Sequence, residues 1–165
     1  MLLWVHRFSE MDFDRLMQVY WEGNRENALT LYPHMDTEKA HIRAQQDFED
    51  YLKKDFFRQK GARYGIWVQD EIYLSALRLE PWEDGLLLEA LETHPDYRRQ
   101  GFAKRLILGM QEAVRGIPIY SHVSKRNSAS LAVHKSCGFR IIKDSVRLLD
   151  GTVSANSVTL QWIAD

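Results

Sequence analysis

The stretch of the chain best equipped for chemistry runs from Leu86 to Lys104. An apolar run, Leu86-Leu87-Leu88-Glu89-Ala90-Leu91-Glu92-Thr93, leads through His94-Pro95-Asp96-Tyr97 into the basic turn Arg98-Arg99-Gln100-Gly101-Phe102-Ala103-Lys104. A buried strand running into a turn that opens a helix leaves the first backbone N–H groups of that helix unpaired and aimed at one point. The helix dipole adds positive potential there, so the turn is an anion seat suited to phosphate. Gly101 lets a phosphate approach the backbone with no Cβ in the way. Ala103 keeps the first helical turn narrow. Arg98, Arg99, Lys104 and Arg105 stand where positive charge opposes the helix dipole, at roughly 0.3–1 kcal/mol each. An occupying anion removes that penalty, although four such residues alone also describe a solvated face.

Proton chemistry rests on Glu89 and Glu92, both on the strand that enters the seat. Three residues apart, they point to opposite faces of a regular strand, and a β-bulge brings them together. Each also reads as an exposed or salt-bridged carboxylate. Other chemistries are poorly served. The histidines at 6, 34, 41, 94, 122 and 134 lack ligand spacing, and one cysteine cannot make a thiolate cluster, so no metal is expected. Gly-x-Ser-x-Gly and Walker patterns are missing. Cys137 ends a helix beside Gly138-Phe139 and reads as a core thiol.

The elements that must position these residues follow from periodicity. A first strand is expected over Leu2 to Phe8. Ser9 and Asp12 offer a capping box to a helix carrying Phe13, Leu16, Met17, Tyr20 and Trp21 on one face. Residues 22–36, with Gly23, Asn24, Asn27 and Pro33, read as a loop. Asp36 or Thr37 then caps a second helix with Ala44, Phe48, Tyr51, Leu52 and Phe56 inward. Strands are expected over Arg63–Gln69, Ile72–Glu80 and Leu86–Thr93, the first two joined by an Asp70-Glu71 turn. A helix over Gly101–Arg115 presents Phe102, Leu106, Met110 and Ala113/Val114 on one side. Ile119–Val123 is a short buried strand, and Asn127 caps a helix ending at Cys137. Arg140–Leu149 and the segment from Thr152 close as a hairpin through Asp150-Gly151. The order β-α-α-β-β-β-α-β-α-β-β is that of a mixed α/β layer fold: a central sheet of about seven strands and about four helices in a single domain over 1–165.

The whole composition is consistent with this. The 165 residues carry a net charge of −1, with 45% hydrophobic and 27% charged residues, which fits a globular chain and gives no basic excess for nucleic acid. A lone cysteine forbids an intramolecular disulfide and suits a reducing compartment. His6, Arg7 and Glu10 interrupt the apolar start too early for a signal peptide, and no run is long enough to span a bilayer. A cytoplasmic location without membrane association is expected.

Arg98-x-x-Gly101-x-Ala103 resembles the pyrophosphate loop of the GCN5-related N-acetyltransferases (GNAT family), and Thr93-His94-Pro95-Asp96-Tyr97 is similar to that family's usual lead-in. Asn127 followed by Gly138-Phe139 resembles its asparagine-capped helix and Gly-Phe exit, and the element order matches over nearly the whole chain. The resemblance implies an acyl-CoA co-substrate, acetyl-CoA foremost, and transfer to the amine of a small molecule or peptide, by a monomer or homodimer. It places Leu91, Glu92 and Thr93 along the pantetheine arm, and Arg98, Arg99, Gln100, Gly101, Phe102, Ala103 and Lys104 around the pyrophosphate. Asn127 falls near the pantetheine or acyl end, and Lys135 or Arg126 near the adenosine phosphate. The backbone N–H of Leu91 or Thr93 polarises the thioester carbonyl.

Direct transfer needs a neutral amine, yet an alkylamine of pKa near 10 is only about 0.1% neutral at pH 7. Glu89 or Glu92 is the expected base, with Glu89 favoured, although the family fixes no position for it. His134 stands seven residues after Asn127, where the family often has a tyrosine that protonates the leaving thiolate. It is expected either as that acid or as a structural replacement. Trp21, Glu22, Asn24, Arg25, Tyr32 and His34 are the candidate acceptor wall, and equally read as loop packing. The different class of function is a non-catalytic acyl-CoA sensor or interaction module on the same scaffold.

Overall fold

The computed structural model describes residues 1–148 and 150–164. Among these residues seven strands form one mixed sheet in the order β1-β2-β3-β4-β5-β9-β6. They are β1 (Leu2–Val5), β2 (Arg63–Gln69), β3 (Ile72–Trp82), β4 (Gly85–Thr93), β5 (Ile119–Ser124), β6 (Arg140–Lys143) and β9 (Ser157–Trp162). A two-stranded ribbon, β7 (Val146–Arg147) with β8 (Val153–Ser154), stands beside it. The described residues form five α-helices: α1 (Phe13–Val19), α2 (Trp21–Leu31), α3 (Thr37–Lys54), α4 (Phe102–Ala113) and α5 (Ser128–Ser136).

Strand alternation divides the core between two faces of the sheet. Leu77, Leu79, Leu86, Leu88 and Ile119 meet Leu106, Ile107 and Met110 of α4 on one face. Tyr64, Ile66 and Ala76 meet Leu16 of α1, Leu52 of α3 and Phe56 on the other. Each fully buried aliphatic side chain of this kind contributes about 1.5–3 kcal/mol. Asp70 and Glu71 both adopt left-handed φ, +49° and +64°, with Gln69 opposite Ile72, which is the two-residue turn that matches the twist of β2 and β3.

Two expectations are corrected. Residues 22–36 are not a loop: α2 continues to Leu31. Its glycine and asparagines are poor helix formers, but tertiary packing overrides a penalty of about 1 kcal/mol. Ala28 is buried against Ala40 and Ala44 of α3, and the Asn24 side chain reaches the Met17 sulfur at 3.2 Å. The first helix accordingly ends at Val19, with Tyr20 as its C-cap and Trp21 on the next one, and its N-cap is Asp12 itself, which accepts from the Arg15 N–H. The closing hairpin is also interrupted. Beyond Lys143 the chain leaves the sheet, the Ser145 carbonyl accepts from Thr159 Oγ1 at 2.8 Å, and Asp150-Gly151 turns the short β7–β8 ribbon instead. Leu149, expected at the end of that strand, lies outside the described residues.

One strand pairing shapes everything that follows. β4 and β5 are parallel and register only from Leu86↔Ile119 to Leu88↔Ser121. At that closed end the Leu86 N–H donates to the Pro118 carbonyl at 2.9 Å, and a Cβ on Gly85 would overlap that same carbonyl. Past Ser121 the two strands separate. Among the described residues no helix is long and apolar enough to cross a membrane.

Candidate active site

The parting of β4 from β5 opens a cavity of about 200 Å³, walled by Glu89, Ala90, Leu91 and Glu92 on one side and by Ser121, His122 and Val123 on the other. A larger cavity of about 500 Å³ runs from it over the turn that starts α4. The two share Leu91, Glu92, Asn127 and Ser130 as walls. Of the residues expected around a coenzyme, Leu91, Glu92, Thr93, Arg98, Arg99, Gly101, Phe102, Ala103, Lys104 and Asn127 all line the larger cavity, and Gln100 does not.

The turn has the backbone an anion requires. Gly101 caps α4 with φ +82° and Arg99 is also left-handed at +59°; the latter costs roughly 1–2 kcal/mol for a residue with a Cβ. Strain of this kind concentrates at binding sites. Asp12, Asp36 and Asn127 cap α1, α3 and α5 with their side chains, whereas among the described residues none caps α4. A Cβ built on Gly101 meets nothing within 4 Å, so the seat is open. His94 serves the turn structurally, its Nδ1 accepting from the Asp96 N–H at 3.2 Å. Arg98 faces α2 and pairs with Glu22 at 2.6 Å. Arg126 and Lys135 are exposed and line neither cavity.

A bulge in β4 aligns the two carboxylates. Arg78 registers with Glu89 and Ala76 with Glu92, so Ala90 and Leu91 together oppose Leu77. Ala90 takes φ +49°, and Glu89 and Glu92 consequently share the face turned to α1 and α2. Burial pushes the Glu89 carboxyl up, opposed by Arg78, whose guanidinium lies 3.6 Å away. Burial likewise raises Glu92, opposed by Arg98 and reinforced by Glu22 and Glu26. Glu92 Oε1 lies 3.8 Å from where a Cβ would stand on Gly23, so α2 passes directly over this carboxylate.

His134 is buried and walls the gap. Its Nδ1 lies 2.8 Å from the Ser130 carbonyl, which only accepts, so Nδ1 carries the hydrogen and the neutral ring offers Nε2 as a lone pair. Among the described residues Nε2 has no partner. Burial lowers the pKa of this imidazole, with the Ser130 bond opposing. A neutral ring in this tautomer has no Nε2 proton to give, which runs against the expectation of a general acid. The hydrogen bond to a backbone carbonyl one turn back is not legible from spacing.

The expected acceptor wall is dispersed. Asn24 and Tyr32 are engaged in helix packing, Tyr32 through its hydroxyl to the Asp47 carboxylate, and His34 is exposed. Trp21 remains partly open, edge-on to His41 at 4.4 Å with Arg25 over its ring. Sequence reasoning missed His122, which faces the gap from β5, stacks edge-on against Trp82 at 5.2 Å and is held low in pKa by burial. Its signal is the parallel pairing of β5 with β4, which extends the Glu89 row across the gap. Among the described residues no cluster of three or more His, Cys, Asp or Glu side chains could hold a metal ion.

The sequence profile described as the Acetyltransferase (GNAT) family matches residues 14–139. No curated protein sequence matches the chain. Solved structures share its fold at low identity. An N-acetyltransferase from Staphylococcus aureus Mu50 superposes with TM-score 0.68 at 14% identity, covering 97% of this chain and 100% of that one. The PaiA N-acetyltransferase of Thermoplasma acidophilum, in complex with coenzyme A, gives 0.66 at 14%, covering 98% of each chain. An aminoglycoside 6′-acetyltransferase type Ii gives 0.64 at 14%, covering 99% and 96%.

Proposed function

The chain belongs to the acetyltransferase (GNAT) family, and on that premise we propose that it transfers the acyl group of an acyl-CoA, acetyl-CoA foremost, directly to the amine of a small molecule or peptide. The observation that carries this reading is the pair of joined cavities: an uncapped, strained helix start at one end and two half-buried carboxylates at the other, with Leu91, Glu92, Asn127 and Ser130 common to both.

The backbone of the Arg99–Lys104 turn takes the pyrophosphate, and Leu91 to Thr93 runs along the pantetheine arm. The thioester then lies in the gap between β4 and β5, with the amine approaching from the α1 and α2 face, where Glu89 and Glu92 stand. Glu92 is the better-placed base. Glu89 is restrained by Arg78, whereas Glu92 walls both cavities and burial leaves its carboxylate more basic than usual. Loss of a proton to it makes the amine nucleophilic; the new N–C bond forms as the C–S bond breaks, and the second amine proton leaves with the thiolate.

Thiol release from acetyl-CoA across a library of primary amines, together with thermal stabilisation by CoA, tests the assignment. Amine-dependent release with saturable stabilisation is expected. Stabilisation without turnover on any amine supports a sensor, and no stabilisation by CoA sinks the reading.

A further inference from the structure

Tyr20, the residue between α1 and α2, drives its side chain into the sheet. Its hydroxyl donates to the Ala90 carbonyl at 2.6 Å, across 70 residues of sequence. The ring is buried between Phe48 and Tyr64, edge-on to both. Burial pushes the phenol well above its ordinary range, so the hydroxyl remains a donor at any pH at which the protein works. The accepting carbonyl belongs to the left-handed residue of the β4 bulge.

That contact fixes the direction of a second group. The chain has no cis peptide bonds among its described residues, and in a trans peptide the C=O and N–H point in opposite directions. The Ala90 carbonyl is drawn toward Tyr20 on the α1 face. The N–H of the same peptide, that of Leu91, therefore points toward the coenzyme side, where Leu91 packs with the α4 core and walls both cavities. A hydrogen bond accepted by the carbonyl also polarises the peptide and strengthens its N–H as a donor. Without that bond, Ala90 has little reason to keep a conformation that disfavours side chains.

We infer that Tyr20 is a positioning residue: by holding the Ala90 carbonyl it turns the Leu91 N–H into the donor that polarises the thioester carbonyl. The inference rests on the acyl-transfer reading above, and concerns which side chain aims the donor.

The test is isotope-edited infrared spectroscopy of acetyl-CoA carrying a ¹³C carbonyl, bound to the full chain. Bound to the parent, the thioester stretch falls below that of free acetyl-CoA. Tyr20→Phe, which keeps the ring and removes only the hydroxyl, loses most of that downshift while its acetyl-CoA Kd stays within about twofold, because the phosphate seat is untouched. Adding Ala90→Gly restores part of it, since glycine adopts the left-handed conformation without strain; a purely structural role for Tyr20 gives no such rescue. Should the phenylalanine variant not fold, Tyr20→Met is measured in its place. A parental stretch in the Tyr20 variant, or no downshift in a parent that binds acetyl-CoA, overturns the inference alone. A parent that does not bind acetyl-CoA overturns the acyl-transfer reading, and this inference with it.

Discussion

The two ends of the cleft are built differently. The end proposed to take phosphate lies within one short segment, Arg98 to Lys104, and offers backbone amides fixed by two left-handed positions. The end proposed for the acceptor is walled by side chains of β4 and β5, and its carboxylates align only because β4 carries an extra residue opposite Leu77. A seat made of backbone tolerates changes of side chain but not of backbone freedom. A site made of side chains responds to each substitution separately, so the two ends should fail in distinguishable ways.

The largest expected effect is on the phosphate end. Gly101→Glu should abolish CoA binding: the thermal stabilisation of about 2.7 kcal/mol expected at 100 times the Kd vanishes, while the left-handed φ costs the fold only about 1–2 kcal/mol. Parental CoA affinity in this variant would remove the seat from the mechanism. Glu92→Gln should leave CoA binding intact and lower turnover by about 10²–10⁴-fold, with Glu89→Gln causing the smaller loss. The pH profile sharpens that contrast. Only the ionised carboxylate accepts a proton and burial raises the Glu92 pKa, so parental turnover should fall as pH drops through that raised value. The glutamine variant should lack this acidic limb; retaining it points to a different base. The smallest effect is expected at His134. Because burial lowers the pKa of its imidazole and so favours the neutral ring, His134→Phe should cost less than about tenfold and leave the profile unchanged above pH 7, whereas a general acid at typical strength gives at least 10²-fold. Loss of an alkaline limb in the variant would restore the acid role.

What was legible in the sequence follows the same division. The strand, turn and helix start of the proposed phosphate end could be read because they are local and Gly101 marks the backbone that they need. The order of strands was readable from alternation, apart from the broken closing hairpin. At the acceptor end, α2 was missed because Gly23 and Asn24 weaken a helix locally, and the burial of Ala28 that compensates belongs to tertiary packing. His122 was passed over because it acquires a place only when β5 lies beside β4. The bulge was open as a possibility from the spacing of Glu89 and Glu92, but its support by Tyr20 joins residues 70 positions apart, beyond the reach of any local pattern.

Gly85 governs a dimension measured far from it. It sits where β4 and β5 are clamped together, with the Pro118 carbonyl filling the space a side chain would need. The two strands therefore behave as the arms of a clothes peg: closeness at the pinned end sets how far they part at the mouth. A methyl group inserted there would force the arms apart at their root and misalign Leu88 against Ser121, without itself touching a residue that lines the cleft.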